Sequence, residues 1–132
     1  MTIFTKIING EIPCYKIYED EFVFAFLDIN PINLGHTLIV PKIEIDKIYD
    51  LDDQHYLAIF KAAQIISKAI EKATDCQRVC TWTEGFEVPH AHYHICPFYS
   101  PDGEFWVKRG VPLPKTEMEK IQTSIIEELT II

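Results

Sequence analysis

The chain has 132 residues, enough for one domain with its own core and too few for two. Apolar residues make up 48% and charged residues 24%, the usual proportions of a globular domain, which excludes disorder except at the ends. A net charge of −8 excludes general binding to nucleic-acid backbones, which needs clustered Lys and Arg. It leaves a small anionic ligand in a local pocket of imidazoles and backbone N–H groups, with Lys42 as a candidate cation.

Four cysteines, Cys14, Cys76, Cys80 and Cys96, have no close metal-ligand spacing and are expected to be buried free thiols. The opening residues interleave charges with short apolar runs, unlike a signal or transit peptide. No apolar run approaches the roughly 18 residues of a membrane span. The expected location is the cytoplasm, with no membrane partner.

A short helix is predicted over Ile3–Ile8, stopped by Asn9-Gly10 and Pro13. Strands follow at Cys14–Glu19 and Phe22–Leu27, joined by a polar turn at Glu19-Asp20 into an antiparallel hairpin. Turn chemistry in Asp28-Ile-Asn-Pro31 and Gly35 separates these from a third strand over Thr37–Val40, closed by Pro41. The strongest helical signal comes next, with Tyr56, Phe60, Ala63, Ile66 and Ile70 recurring at three- and four-residue intervals. It predicts a helix over Asp52–Lys72, with Asp50 as its cap and Lys68 and Lys72 suited to its negative end.

Cys76–Thr83 and His90–Phe98 read as two further strands, central in the sheet, around a loop at Glu84–Pro89. Met118, Ile121, Ile125 and Leu129 share one face of a terminal helix over Thr116–Leu129, where Thr116 and Glu119 have capping-box spacing. Trp106, Lys108 and Arg109 are expected in a packed tail before it. The order of elements lacks the signals of a parallel crossover sheet. It predicts an α+β domain, an antiparallel meander of about five strands with the long helix packed on it.

The chemistry-bearing residues lie in Val88-Pro-His-Ala-His-Tyr-His-Ile-Cys96. On a strand, side chains alternate with period two, so His90, His92 and His94 line one face while Ala91, Tyr93 and Ile95 pack inward. Three readings compete: an exposed polar face, a metal site, and nucleophilic catalysis by the central imidazole. Two such histidines suit one zinc ion, but the outer Cα atoms are about 13–14 Å apart on a strand, so three in a row would be strained. Catalysis is favoured, since a neutral imidazole is a good phosphate nucleophile once a partner fixes its tautomer.

His-Ala-His-Tyr-His-Ile at 90–95 resembles the alternating motif of the histidine triad (HIT) family. The likeness extends over Thr2-Ile-Phe-Thr-Lys-Ile-Ile-Asn-Gly-Glu-Ile-Pro13, Phe24-Ala-Phe-Leu-Asp-Ile-Asn-Pro31 and Gly35-His-Thr-Leu-Ile-Val-Pro-Lys42, up to about Pro97. It implies one HIT domain over 1–132, with its core at about 1–98 and a C-terminal extension, dimerising into a continuous sheet. The implied activity is hydrolysis or nucleotidyl transfer at the α-phosphate of purine nucleoside phosphoramidates or related compounds, with an AMP or GMP derivative as ligand. His92 matches the attacking position that forms a nucleotidyl-imidazole, and His90, His94 and His36 match its supporting histidines. Phe4, Ile7, Phe26, Leu27 and Ile29 match the walls of the base pocket, and Asp28 matches the holder of the ribose hydroxyls. Thr81 and Glu87 match positions bordering the nucleotide.

Many bacterial relatives bind zinc where this chain has Thr2, Thr5 and Glu44 beside the first triad histidine. Without thiolates this is a poor zinc site, so neither metal nor other cofactor is expected, and the non-zinc, phosphoramidase-like branch is the closer match. The loop Thr81-Trp-Thr-Glu-Gly-Phe-Glu-Val88 is about two residues short of the family pattern, with Phe86 in place of Gln and Glu87 in place of a hydroxyl. A carboxylate aimed at phosphate would lower turnover. Two alternatives follow: a dinucleoside polyphosphate hydrolase, or a nucleotide-binding regulatory module with vestigial activity.

Overall fold

The computed structural model describes residues 1–101 and 110–131; Trp106, Lys108 and Arg109 lie outside the described residues. In chain order the elements are α1 (Ile3–Ile8), β1 (Lys16–Glu19), β2 (Val23–Leu27), β3 (Thr37–Pro41), a 3₁₀ turn (Ile48–Asp50), α2 (Asp53–Ala73), β4 (Arg78–Trp82), β5 (Tyr93–Phe98) and α3 (Lys115–Ile131). All strand pairs are antiparallel, in the order β1-β2-β3-β5-β4. β5 rather than β4 lies beside β3, so the crossover through α2 skips one position and only β1–β3 form a simple meander. β4, expected to be central, is an edge strand.

Every residue of β2 and β3 is buried, because both faces of the sheet are covered. Val23, Ala25, Leu27 and Ile39 face α2 and join Ile59, Ala62, Ala63, Ile66, Ala69 and Ile70 in the larger core. Phe24, Phe26, Leu38 and Val40 face the other way, where Phe4 and Ile7 of α1 cover them. α3 closes the larger core with Met118, Ile121 and Ile125.

Several expected boundaries move for identifiable reasons. Asp52, not Asp50, caps α2 by accepting the His55 N–H, because Asp50 is held in the 3₁₀ turn. Asp20 Oδ1 accepts the Phe22 and Val23 N–H groups, an Asx-type turn that delays β2 by one residue. Thr116 lies inside α3 and is no cap. Tyr56 and Phe60 remain 38% exposed each, since the buried stripe of α2 runs through Ile59 and Ala62. Cys96 is buried, but the other three cysteines, all free, are only partly covered.

Candidate active site

β5 begins only at Tyr93, so His90 and His92 precede the ladder instead of lying in it. All three triad imidazoles are nonetheless buried and face away from α2, as does His36 at the foot of β3. Gly35, at φ +104°, turns the chain into that foot, in a backbone region that any side chain would strain. Phe4 lies edge-on to both His90 and His92, with ring centroids 5.6 and 5.0 Å away. Trp82, the β4 partner of His94, stacks flat on it, 4.7 Å away and 1° from parallel.

Hydrogen bonds assign each tautomer. His36 Nδ1 accepts from the Ile32 N–H (3.1 Å), so its Nε2 carries the proton and donates to His94 Nδ1 (3.0 Å). His94 therefore carries its own proton on Nε2, a buried atom without a partner among the described residues. His92 Nδ1 lies 2.8 Å from the His90 carbonyl oxygen, which only accepts, so Nδ1 is the protonated nitrogen and Nε2 keeps its lone pair. His90 Nε2 donates to the Pro41 carbonyl (2.9 Å), and its Nδ1 accepts from the Thr2 hydroxyl (2.7 Å).

The resulting row is directional, and burial disfavours charge on His36, His90 and His94. Burial drives the His36 pKa down to about 4, and burial together with His36 and His92 drives that of His94 to about 3. Burial also lowers that of His90. His36 Nε2 stands 3.8 Å from Asp28 Oδ2, but a neutral imidazole makes this a dipolar contact and not an ion pair. Burial raises the Asp28 pKa; its Oδ1 accepts the Asn30 N–H at 2.9 Å. His94 and the Asp28 carboxylate border a cavity of about 890 Å³ that is also lined by His36, Trp82 and Glu84 among others.

Residues 9–100 match the HIT domain family. The chain belongs to that family. Among relatives of this HIT protein, the adenosine 5'-monophosphoramidase of Schizosaccharomyces pombe is 35% identical over 122 residues, covering 91% of this chain and 90% of that one. The purine nucleoside phosphoramidase of Escherichia coli is 38% identical over 100 residues, covering 71% of this chain and 84% of that one. A solved Hit-like protein from Bartonella henselae superposes with a TM-score of 0.84 at 32% identity, covering 96% of this chain and 95% of that one.

Within the HIT fold the expected site residues separate into groups. Phe4, Ile7 and Phe26 form one buried apolar cluster with Phe4 against His90 and His92, Asp28 lines the cavity with His36 and His94, and Ile29 is 63% exposed. Leu27 faces the opposite side of β2, in the core under α2, so its side chain is not a pocket wall. Thr81 pairs with Ile95, its hydroxyl lies 2.9 Å from that of Tyr93, and it borders the same cavity as Asp28, His36 and His94. Lys42 pairs with Glu19 at 2.7 Å and is not the cation of the site.

Glu87 lines a separate cavity with Thr2, Glu44 and Val88, and Phe86 is 94% exposed. The sequence reading missed Trp82, Thr83 and Glu84. Thr83 donates to the His92 carbonyl (2.8 Å), and a Glu84 oxygen lies within 4.8 Å of ring nitrogens of His92 and His94. Pairing β4 antiparallel with the triad strand would have brought Trp82 opposite His94.

Among the described residues, two side-chain sets bring donors close enough for a metal ion: Asp28, His36 and His94, and Glu84, His92 and His94. In the first, both His36 nitrogens are already used by Ile32 and His94. Around His90, Thr5 donates to Glu44 (2.6 Å) and Thr2 to His90, with no thiolate among them. That hydrogen-bonded set does not fit zinc.

Proposed function

We propose that this HIT protein hydrolyses or transfers the nucleotidyl group of purine nucleoside phosphoramidates or related nucleotidyl compounds, through a covalent intermediate on His92. The observation that carries the reading is the 2.8 Å contact from His92 Nδ1 to the His90 carbonyl, which puts the neutral ring's proton on Nδ1 and its lone pair on Nε2, held in one orientation. The phosphoramidases among its relatives supply the substrate class.

Nε2 attacks the α-phosphorus, forming an N–P bond as the bond to the leaving amine breaks. Water then attacks the same phosphorus and gives up one proton as the bond to His92 Nε2 breaks, the amine having gained one on leaving, so phosphoramidate and water become nucleoside monophosphate and amine. The unpartnered His94 Nε2–H is placed to donate to a phosphoryl oxygen, and His36 keeps that proton on Nε2 by occupying Nδ1. The apolar cluster of Phe4, Ile7 and Phe26, with exposed Ile29, supports a wall for the purine, and Asp28 accepts the ribose hydroxyls through the oxygen that Asn30 leaves free. Glu84 favours a second reading, a nucleotide-binding module with slow turnover, because its charge faces the phosphate's space.

The protein is proposed to work in the cytoplasm as a homodimer whose sheets join across β4. Tyr56, Phe60 and Tyr93 form an aromatic strip beside that edge, with successive centroids 5.0 Å apart, and Leu57 is 65% exposed. Incubation with adenosine phosphoramidate, with a diadenosine polyphosphate and with buffer alone tests the function. The proposal expects AMP fastest from the phosphoramidate; nucleotide binding without turnover of either compound would favour the module.

A further inference from the structure

The cluster formed by Thr2, Thr5, Glu44 and His90 stands outside the phosphate's path, yet it is fully wired. Thr2 Oγ1 accepts the Thr5 N–H (3.2 Å) as the cap of α1, and its own proton points to His90 Nδ1 (2.7 Å). Glu44 Oε1 accepts both the Thr5 hydroxyl (2.6 Å) and the Thr2 N–H (2.5 Å), tying the first turn of α1 to the segment after β3. The far side of the His90 ring donates to Pro41, and the His90 N–H donates to the Val88 carbonyl (2.8 Å). His90 is thereby held on both ring edges and along its backbone, and its carbonyl is the acceptor that orients His92. Two residues beyond Thr2, Phe4 touches both imidazoles.

We infer that Thr2, anchored by Glu44, is a positioning residue: its hydroxyl holds His90 so that the His90 carbonyl presents His92 Nε2 to the phosphorus. The inference rests on the hydrolase reading for its kinetic consequence, but not for its hydrogen bonds. Thr2 touches neither nucleotide nor phosphate in this scheme, so it acts on the rate of the covalent step and not on affinity.

Thr2→Val removes the donor while keeping the shape, and Thr2→Ser restores it. With adenosine phosphoramidate, Thr2→Val is expected to lower kcat about tenfold with KM within about twofold, and Thr2→Ser to stay within about threefold of the parent. Imidazole ¹⁵N spectra of the parent are expected to show His90 protonated on Nε2 and hydrogen-bonded but unprotonated on Nδ1, with that Nδ1 signal shifted in Thr2→Val. Thermal melts of both variants report whether α1 stays folded. A parent spectrum with His90 Nδ1 protonated overturns the inference whatever the variants do. So does an unchanged Nδ1 signal in folded Thr2→Val, or a Ser variant as slow as the Val one. A parent that turns over no nucleotidyl compound sinks the hydrolase reading instead, and the spectra alone then decide on Thr2.

Discussion

A carboxylate whose oxygen lies within 4.8 Å of ring nitrogens of both His92 and His94 shares the space a phosphate would enter. Like charges at such range repel, and because Glu84 is exposed the repulsion is screened by water and salt. Glu84→Gln is expected to raise kcat/KM on adenosine phosphoramidate about tenfold at low salt and less at high salt. Glu87→Ser, in the other cavity, is expected to change it little; steady-state kinetics of the two variants at two ionic strengths compare them.

The buried histidines have a second signature. An imidazole at about 4 in the folded chain, as in His36, protonates near pH 6.5 once unfolded, so between those values the unfolded state binds more protons and stability falls as the pH drops. The loss for His36 is on the order of 3 kcal/mol at full extent, and His94 adds to it over a window reaching about 3. Urea melts at pH 7 and pH 5 are expected to show a lower midpoint at pH 5. They should also show a smaller drop for His36→Gln. The period-two histidines and their common face were legible in the sequence, because alternation survives even where the strand itself begins late. Their tautomers were not, since these depend on Pro41, Ile32 and Thr2, partners brought in by folding.

At the scale of elements, the stripe of α2 was legible from spacing but its centre was not. Periodicity alone does not say which edge of a stripe wraps around the sheet, and the aromatic pair Tyr56 and Phe60 turned out to lie at the border. The position of β4 at the edge was illegible for a related reason: antiparallel pairing of β4 with β5 is local, whereas the insertion of β5 beside β3 is a long-range choice. The buried centre of the stripe is testable. Ile66 is fully buried among the residues between α2 and the sheet, so Ile66→Ala should cost about 2–5 kcal/mol by chemical denaturation. Leu57→Ala on the exposed side should cost little in a monomer.

At the scale of the whole molecule, the two faces of the sheet do different work. α2 and α3 bury one face as a core, and the short α1 covers only part of the other, leaving the histidine row beside a cavity. Light scattering at micromolar concentration is expected to give twice the chain mass, and Leu57→Glu with Phe60→Glu to return it to one chain. A monomeric parent would remove the continuous sheet.

Quenching the protein with labelled adenosine phosphoramidate on the turnover timescale, and mapping the label by peptide mass spectrometry, asks whether His92 Nε2 takes the nucleotidyl group. An adenylyl group is expected on the peptide containing His92. No such adduct is expected in His92→Ala, with AMP binding in that variant retained within about tenfold of the parent. Turnover in His92→Ala, or label on any other residue, would contradict that role for His92.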